Sequence, residues 1–302
     1  LTLVAPSRGG KAAASQLVTT SNAGQEHALR ITVANGPVTF RAGGSDGGDE
    51  FVSEASLGTG VHSLAFVPTG ATGAGIDSFT KLMLHCNGVD ASTTFTDSSS
   101  SVHTVTANSN AQIDTAQQKF GTASALFDGA NDCLTVDGSS DFAFGTGDFT
   151  IDMWIRLNAT GATQTLYDSR PSGTASGAYP RLSVRNTNVL VYTIGNTNVI
   201  SGFTALGTGT WYHAAVSRSS GVTYLFLNGV LQGSVADSTD YLIGASRPSI
   251  GADGSNTSIN EFTGWIDELR VSKGIARWTS DFTPSSVEYG AAADGYWIQF
   301  ST

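Results

Sequence analysis

The sequence has few charges and no long apolar run. Lysine, arginine, aspartate and glutamate make up only 13% of its 302 residues, and the formal net charge is −10. Sequence-independent binding to nucleic acid needs a basic surface that releases phosphate counterions, so the absence of any basic cluster argues against a nucleic-acid partner. No stretch approaches the roughly 18 apolar residues of a membrane span, so we expect no membrane insertion.

Cysteine and histidine are scarce and lie outside known metal or nucleophile motifs. The five histidines form no H-E-x-x-H pattern, and the two cysteines form no C-x-x-C pattern. Cys86 and Cys133 each lie in a strand-like run, which favours two buried free thiols, with a disulfide as the alternative. His213 is predicted to pack within a strand.

What the sequence does contain is typical of an all-β protein. Glycine supplies 36 residues, and Gly, Ser, Thr and Asn separate many short apolar runs. Thr150–Arg156 alternates, which predicts Ile151, Met153 and Ile155 on one face of a strand. Asn228–Gly229 between two apolar runs predicts a hairpin.

The texture of the chain indicates three regions. Residues 1–25 are weakly patterned and are predicted to form an N-terminal arm. Residues 26–70 contain short strands, and a lone aromatic strand, Tyr296–Phe300, lies near the other end of the chain. A lone strand needs a sheet to join, so we expect residues 26–70 and 291–302 to form one small discontinuous β-module. Residues 76–288 would then form one large β-domain inserted into it.

The large region resembles the laminin-G-like, concanavalin A-like domains of phage tail and other virion proteins. The resemblance implies a jelly-roll β-sandwich, a fold used mainly for binding. The segments that carry it follow the order of the family: Lys81–Gly88, Thr93–Ser99, Lys119–Gly129, Phe144–Arg156, Trp211–Val216, Leu225–Val230, Phe262–Gly274 and Ala276–Trp278.

The same resemblance argues against catalysis. Glucanases of this superfamily carry their two carboxylates in an E-x-D-x-x-E pattern on one strand, one as nucleophile and one as acid. Between Lys81 and Pro284 the only glutamates are Glu261 and Glu268, and neither lies in that pattern. We therefore expect no enzyme activity.

A structural calcium ion is a candidate cofactor. Related domains often hold Ca²⁺ near the first and last strands of the sandwich, which should be neighbours. Ca²⁺ takes oxygen ligands, and the candidates here are Asn87, Asp90, Asp97 and Asp267. The alternative is that Asp90 and Asp97 only form turns through bonds to their own backbone.

Glycan recognition calls for aromatic rings and planar polar groups on loops. Three loop-like segments hold such groups: Tyr167–Arg170, Tyr179–Arg181 and Arg247–Asn256. The candidate glycan-binding residues are Tyr167, Arg170, Tyr179, Arg181, Asp253 and Asn256.

These observations favour a phage virion structural protein of the tail, fibre, baseplate or decoration type. The small module would attach it to other virion proteins, and the sandwich would display a surface for host glycans. We expect a homo-oligomer in an extracellular particle that is assembled in the host cytoplasm. The alternative function is a secreted bacterial module for carbohydrate binding or adhesion.

Overall fold

The computed structural model describes residues 13–19, 27–34, 36–43, 52–66, 76–241, 247–290 and 295–301. The chain forms two compact units. The small unit comprises Leu1–Asp77 together with Gly290–Thr302, and the large unit comprises Ser78–Tyr289. Among the described residues no helix is long and apolar enough to cross a membrane.

The small unit contains six described strands in two sheets. They are β1 (Ala13–Thr19), β2 (His27–Val33), β3 (Val38–Gly43), β4 (Val52–Leu57), β5 (Gly60–Phe66) and β21 (Gly295–Ser301). One sheet has the order β1-β21-β3-β4, and the other pairs β2 with β5. The small core contains Val33, Phe40, Ala42 and Leu57.

The region predicted to be an N-terminal arm contains β1, an edge strand that pairs with β21 along its whole length. The rest of residues 1–25 lies outside the described residues. Strand β21 also pairs with β3, so the last strand of the chain takes part in the sheet of the small unit.

The large unit is a sandwich of two sheets, as predicted. Its strands are β6 (Thr80–Leu84), β7 (Val105–Asn108), β8 (Gln112–Asp114), β9 (Ser124–Asp128), β10 (Cys133–Val136), β11 (Phe149–Leu157), β12 (Gln164–Asp168), β13 (Pro180–Val184), β14 (Val189–Ile194), β15 (Thr197–Ala205), β16 (Trp211–Ser219), β17 (Val222–Leu227), β18 (Val230–Ala236), β19 (Ser249–Ile250) and β20 (Thr263–Lys273). The described helical structure is one 3₁₀ turn, Ser140–Phe142.

Seven strands form one sheet in the order β15-β14-β13-β12-β19-β10-β7. The other sheet follows the order β18-β17-β16-β11-β20-β9-β8, and β6 pairs with β20. Alternation directs one face of each strand into the shared core. Ile151, Met153 and Ile155 of β11 all lie in that core, as their spacing predicts.

The outer face of the eight-stranded sheet is also covered. Asp152 on β11 and His213 on β16 are fully buried there. The segment after β20 packs over them, with the Trp278 ring stacked on Phe282 at 4.0 Å and the Tyr289 hydroxyl 2.8 Å from Asp152 Oδ2. Cys86 and Cys133 are buried free thiols, which confirms the favoured interpretation.

Candidate functional site

A row of polar residues crosses the outer face of the seven-stranded sheet. Directly paired residues of neighbouring strands lie on the same face, so the register identifies the row. From edge to edge its members are Thr106, Thr135, Ser249, Asp168, Arg181, Thr193 and Asn198. The neighbouring row of paired residues lies on the inner face of the sheet and packs in the core. Its members are Ala107, Leu134, Ile250, Tyr167, Leu182, Tyr192 and Ile200.

A network of two arginines and two aspartates lies at the centre of this polar row. Arg170 donates from Nη2 to Asp168 Oδ2 at 2.6 Å and to Asp253 Oδ1 at 2.7 Å. Arg181 Nε lies 3.0 Å from Asp253 Oδ1, as an ion pair and not a hydrogen bond. Arg181 also donates from Nη2 to Thr165 Oγ1 at 3.1 Å. Each arginine therefore forms an ion pair with at least one of the two aspartates.

Strand pairing and one close backbone approach bring these residues together. Asp168 ends β12 and pairs directly with Arg181 on β13. The loop after β19 carries Asp253, and the Gly254 N–H donates to Asp168 Oδ2 at 2.9 Å. A Cβ at Gly254 would lie 2.4 Å from the Arg170 carbonyl oxygen, so only glycine fits this approach without a backbone shift.

The remaining polar partners connect the network to solvent. Asp253 Oδ2 accepts from Asn260 Nδ2 at 2.8 Å, and Arg170 donates from Nη1 to Asn196 Oδ1 at 2.8 Å. Asn196 is exposed in the β14–β15 turn, Asn198 is exposed at the start of β15, and Asn256 is exposed on the loop that carries Asp253. The site thus has a buried charged base and a rim of exposed amides.

Burial and charge act against each other in this network. Burial raises the pKa of Asp168, while its hydrogen bonds and ion pair with Arg170 oppose that shift. Burial lowers the pKa of Arg181, and the charges of Asp253 and Asp168 oppose it. Buried charges cost free energy unless they are paired and hydrogen-bonded, and here both signs are present in equal number. The arrangement holds each side chain in one position.

The structure brings together three of the six residues predicted to bind glycan, namely Arg170, Arg181 and Asp253. It corrects two expectations. Tyr167–Asp168 and Pro180–Arg181 belong to strands β12 and β13 and not to loops. Tyr167 is fully buried in the core, because its position alternates with that of Asp168, so it offers no ring to a glycan.

Tyr179 is half-buried directly before β13, and Asn256 is exposed. Asp168 was not among the predicted site residues, although it belongs to the segment Tyr167–Arg170. Its role follows from the pairing with Arg181 on another strand, and the only sequence signal for it was its place two residues before Arg170.

The four candidate calcium ligands lie near β6 and β20 but make separate contacts. Asp97 accepts hydrogen bonds from Met83 N, Ser99 N and His103 N, and Asp267 accepts from Lys119 N, Phe120 N and Glu268 N. Asp90 accepts from Thr115, and Asn87 accepts from Thr122.

Burial, together with the charge of Glu268, raises the pKa of Asp267 to about 7, against three opposing backbone hydrogen bonds. In the described part of the chain, Asp90, Asp97 and Asp267 do not belong to one group of metal-binding side chains. A calcium ion at these residues would have to displace backbone N–H donors, and calcium binding stays a prediction.

Comparison with known proteins agrees with the observed fold. Residues 128–277 match the family described as the concanavalin A-like lectin/glucanases superfamily. No curated protein matches the chain. Among solved structures, the binding domain of botulinum neurotoxin DC, in complex with SialylT, is similar with a TM-score of 0.50 and 17% identity over 67% of this chain and 50% of that chain.

The binding domain of Paraclostridial Mosquitocidal Protein 1 is similar with a TM-score of 0.51 and 16% identity. That similarity covers 66% of this chain and 50% of the toxin domain. The chain therefore spans about half the length of these two structures. At this level of identity the similarity concerns the fold.

Proposed function

We propose that the large unit, a domain of the concanavalin A-like lectin/glucanase superfamily, binds carbohydrate on the polar face of its seven-stranded sheet. The observation that carries this proposal is the polar row with the Asp168–Arg170–Arg181–Asp253 network at its centre. A fold neighbour in complex with SialylT makes a glycan the first class of ligand to test.

The chemistry of the rim suits sugar hydroxyls. A hydroxyl both donates and accepts hydrogen bonds, and an amide side chain offers both functions. Asn196, Asn198 and Asn256 are exposed beside the network, and the side chain of Arg181 is 11% exposed. Because the buried ion pairs hold the base of the site in place, a ligand would bind with little loss of side-chain freedom.

In this proposal the protein is a non-catalytic virion component of a phage. The sandwich would contact host-surface glycans, and the small unit would anchor homo-oligomeric copies to other virion proteins. Weak binding by each copy would become strong through multivalency. Neighbouring capsid and tail genes would support this setting, whereas a signal peptide and a catalytic domain in the same gene would support the secreted bacterial module.

A glycan array with the full chain tests the binding site. We expect binding to a subset of surface polysaccharides or sialylated glycans, and we expect Asn196→Ala and Asn198→Ala to weaken it about ten-fold, the loss of one or two hydrogen bonds. The matched control is Asn186→Ala, an exposed asparagine in the turn at the opposite end of β14. No binding to any glycan, or equal binding by all three variants, would refute the proposal.

A further inference from the structure

Three metal-binding side chains meet where the large unit begins and ends. His85 directly follows β6, Glu268 lies in β20, and Glu288 is next to the last residue of the unit. One ligand atom from each lies within 4.8 Å of the other two. His85 Nδ1 is 2.6 Å from Glu268 Oε1 and 3.5 Å from Glu288 Oε1. In the described part of the chain this is the one such group.

Each glutamate of this group is held by a further hydrogen bond. The side chain of Glu268 is 1% exposed, and its Oε2 accepts a hydrogen bond from Tyr289 N at 2.7 Å. Glu288 accepts from Asn87 Nδ2, and Asn87 Oδ1 accepts from Thr122 N at 2.6 Å. Second contacts of this kind orient metal ligands and are a regular feature of protein metal sites.

The backbone of β20 is irregular where it directs Glu268 into the group. Its pairing with β11 shifts register between Asp152 and Trp154, opposite Glu268 and its neighbours. Glu268 itself has a φ of 50°, in the left-handed region that residues other than glycine seldom occupy. The bulge changes the direction of the side chain, as bulges next to functional sites do.

The charges of the group do not balance. A neutral imidazole can donate one hydrogen bond from Nδ1, and Glu268 Oε1 is close enough to accept it. Glu288 brings a second carboxylate to the same nitrogen, so two carboxylates share one imidazole. A divalent cation between these ligands would offset the excess negative charge.

We propose that His85 Nδ1 and the carboxylates of Glu268 and Glu288 bind one divalent cation of the zinc class. An imidazole nitrogen with two carboxylates suits zinc and its first-row neighbours, whereas Ca²⁺ takes oxygen ligands alone. Zinc bonds of about 2.0–2.2 Å place tetrahedral ligands roughly 3.3–3.6 Å apart. His85 and Glu268 would therefore separate by less than about 1 Å, and the half-exposed Glu288 would leave a fourth position to water.

The cation would join three distant parts of the chain. The ion would link the end of β6, the middle of β20 and the final residues of the large unit. Because an ion that binds only the folded state stabilises it, zinc should raise the melting temperature of the protein.

The test is titration of the chelator-treated full chain with zinc chloride, followed by calorimetry and by thermal melting. We expect one zinc per chain at this site and a higher melting temperature with zinc. Glu288→Gln should weaken the affinity at least ten-fold, because it removes a charged ligand at a half-exposed position and leaves the core intact. Glu261→Gln, at the other described glutamate of the large unit, is the control and should bind as the wild type does.

His85→Gln removes the nitrogen ligand and should cause the same loss as Glu288→Gln. Calcium chloride serves as the comparison cation and should not compete with zinc. Absence of zinc binding, wild-type affinity in folded Glu288→Gln and His85→Gln, or a preference for calcium over zinc would each overturn the proposal.

Discussion

Removal of the Asp152 carboxylate should cost the large unit a substantial part of its stability. Asp152 is fully buried and accepts from Arg270 Nε at 3.0 Å and from Arg270 Nη2 at 3.2 Å. It also accepts from the Tyr289 hydroxyl at 2.8 Å, and His213 Nε2 lies 3.4 Å away. Asp152→Ala would leave the guanidinium of Arg270 buried without this carboxylate.

The expected magnitude follows from that geometry. Removing one partner of a buried ion pair costs about 3–5 kcal/mol. Arg270 would keep its position 4.0 Å from the centre of the Tyr289 ring, a contact worth about 0.5–2 kcal/mol, which places the loss at the lower end of that range. For a unit of roughly 200 residues, each kcal/mol lowers the melting temperature by about 2–4 °C. We therefore expect a decrease of about 6–12 °C.

Denaturant unfolding followed by tryptophan fluorescence measures this loss, because Trp154 and Trp278 both pack near His213 on the same covered face. Asp240→Ala, at an exposed aspartate of the same unit, is the control and should change the free energy of unfolding by less than about 0.5 kcal/mol. A loss below about 1 kcal/mol for Asp152→Ala would refute the reasoning.

Two further predictions concern protons and calcium. Burial opposes ionisation of Asp152, but the charges of Arg270 and His213 outweigh it and lower the pKa of Asp152 below its ordinary value of 3.8. The stabilisation is therefore present above about pH 4 and lost as the pH falls below it, and Asp152→Asn should flatten this acid limb of the stability curve. An unchanged acid limb would contradict the assignment. If calcium binds at Asn87, Asp90, Asp97 and Asp267, adding calcium to chelator-treated protein should raise its melting temperature. Asp267→Ala should abolish this increase. Identical melting curves with and without calcium would refute that site.

Local patterns predicted the all-β chain and its hairpins, and the family resemblance predicted the β-sandwich. The hairpin predicted at Asn228–Gly229 joins β17 and β18, with Leu227 paired to Val230 and positive φ angles at both turn residues. Alternation in β11 predicts its core face correctly. Alternation did not predict that Asp152, on the opposite face, is also buried, because the covering segment Trp278–Tyr289 lies more than a hundred residues away in the chain.

The candidate sites depended on tertiary structure to a greater degree. The sequence alone determined which residue types were available, such as Arg170, Arg181 and Asp253, and where the strands alternate. Only the folded chain decided that Asp168 and Arg181 pair directly and that Glu268 meets His85. The physical reason is that alternation is a property of neighbours along one strand, whereas a site needs the register between strands that the core packing selects.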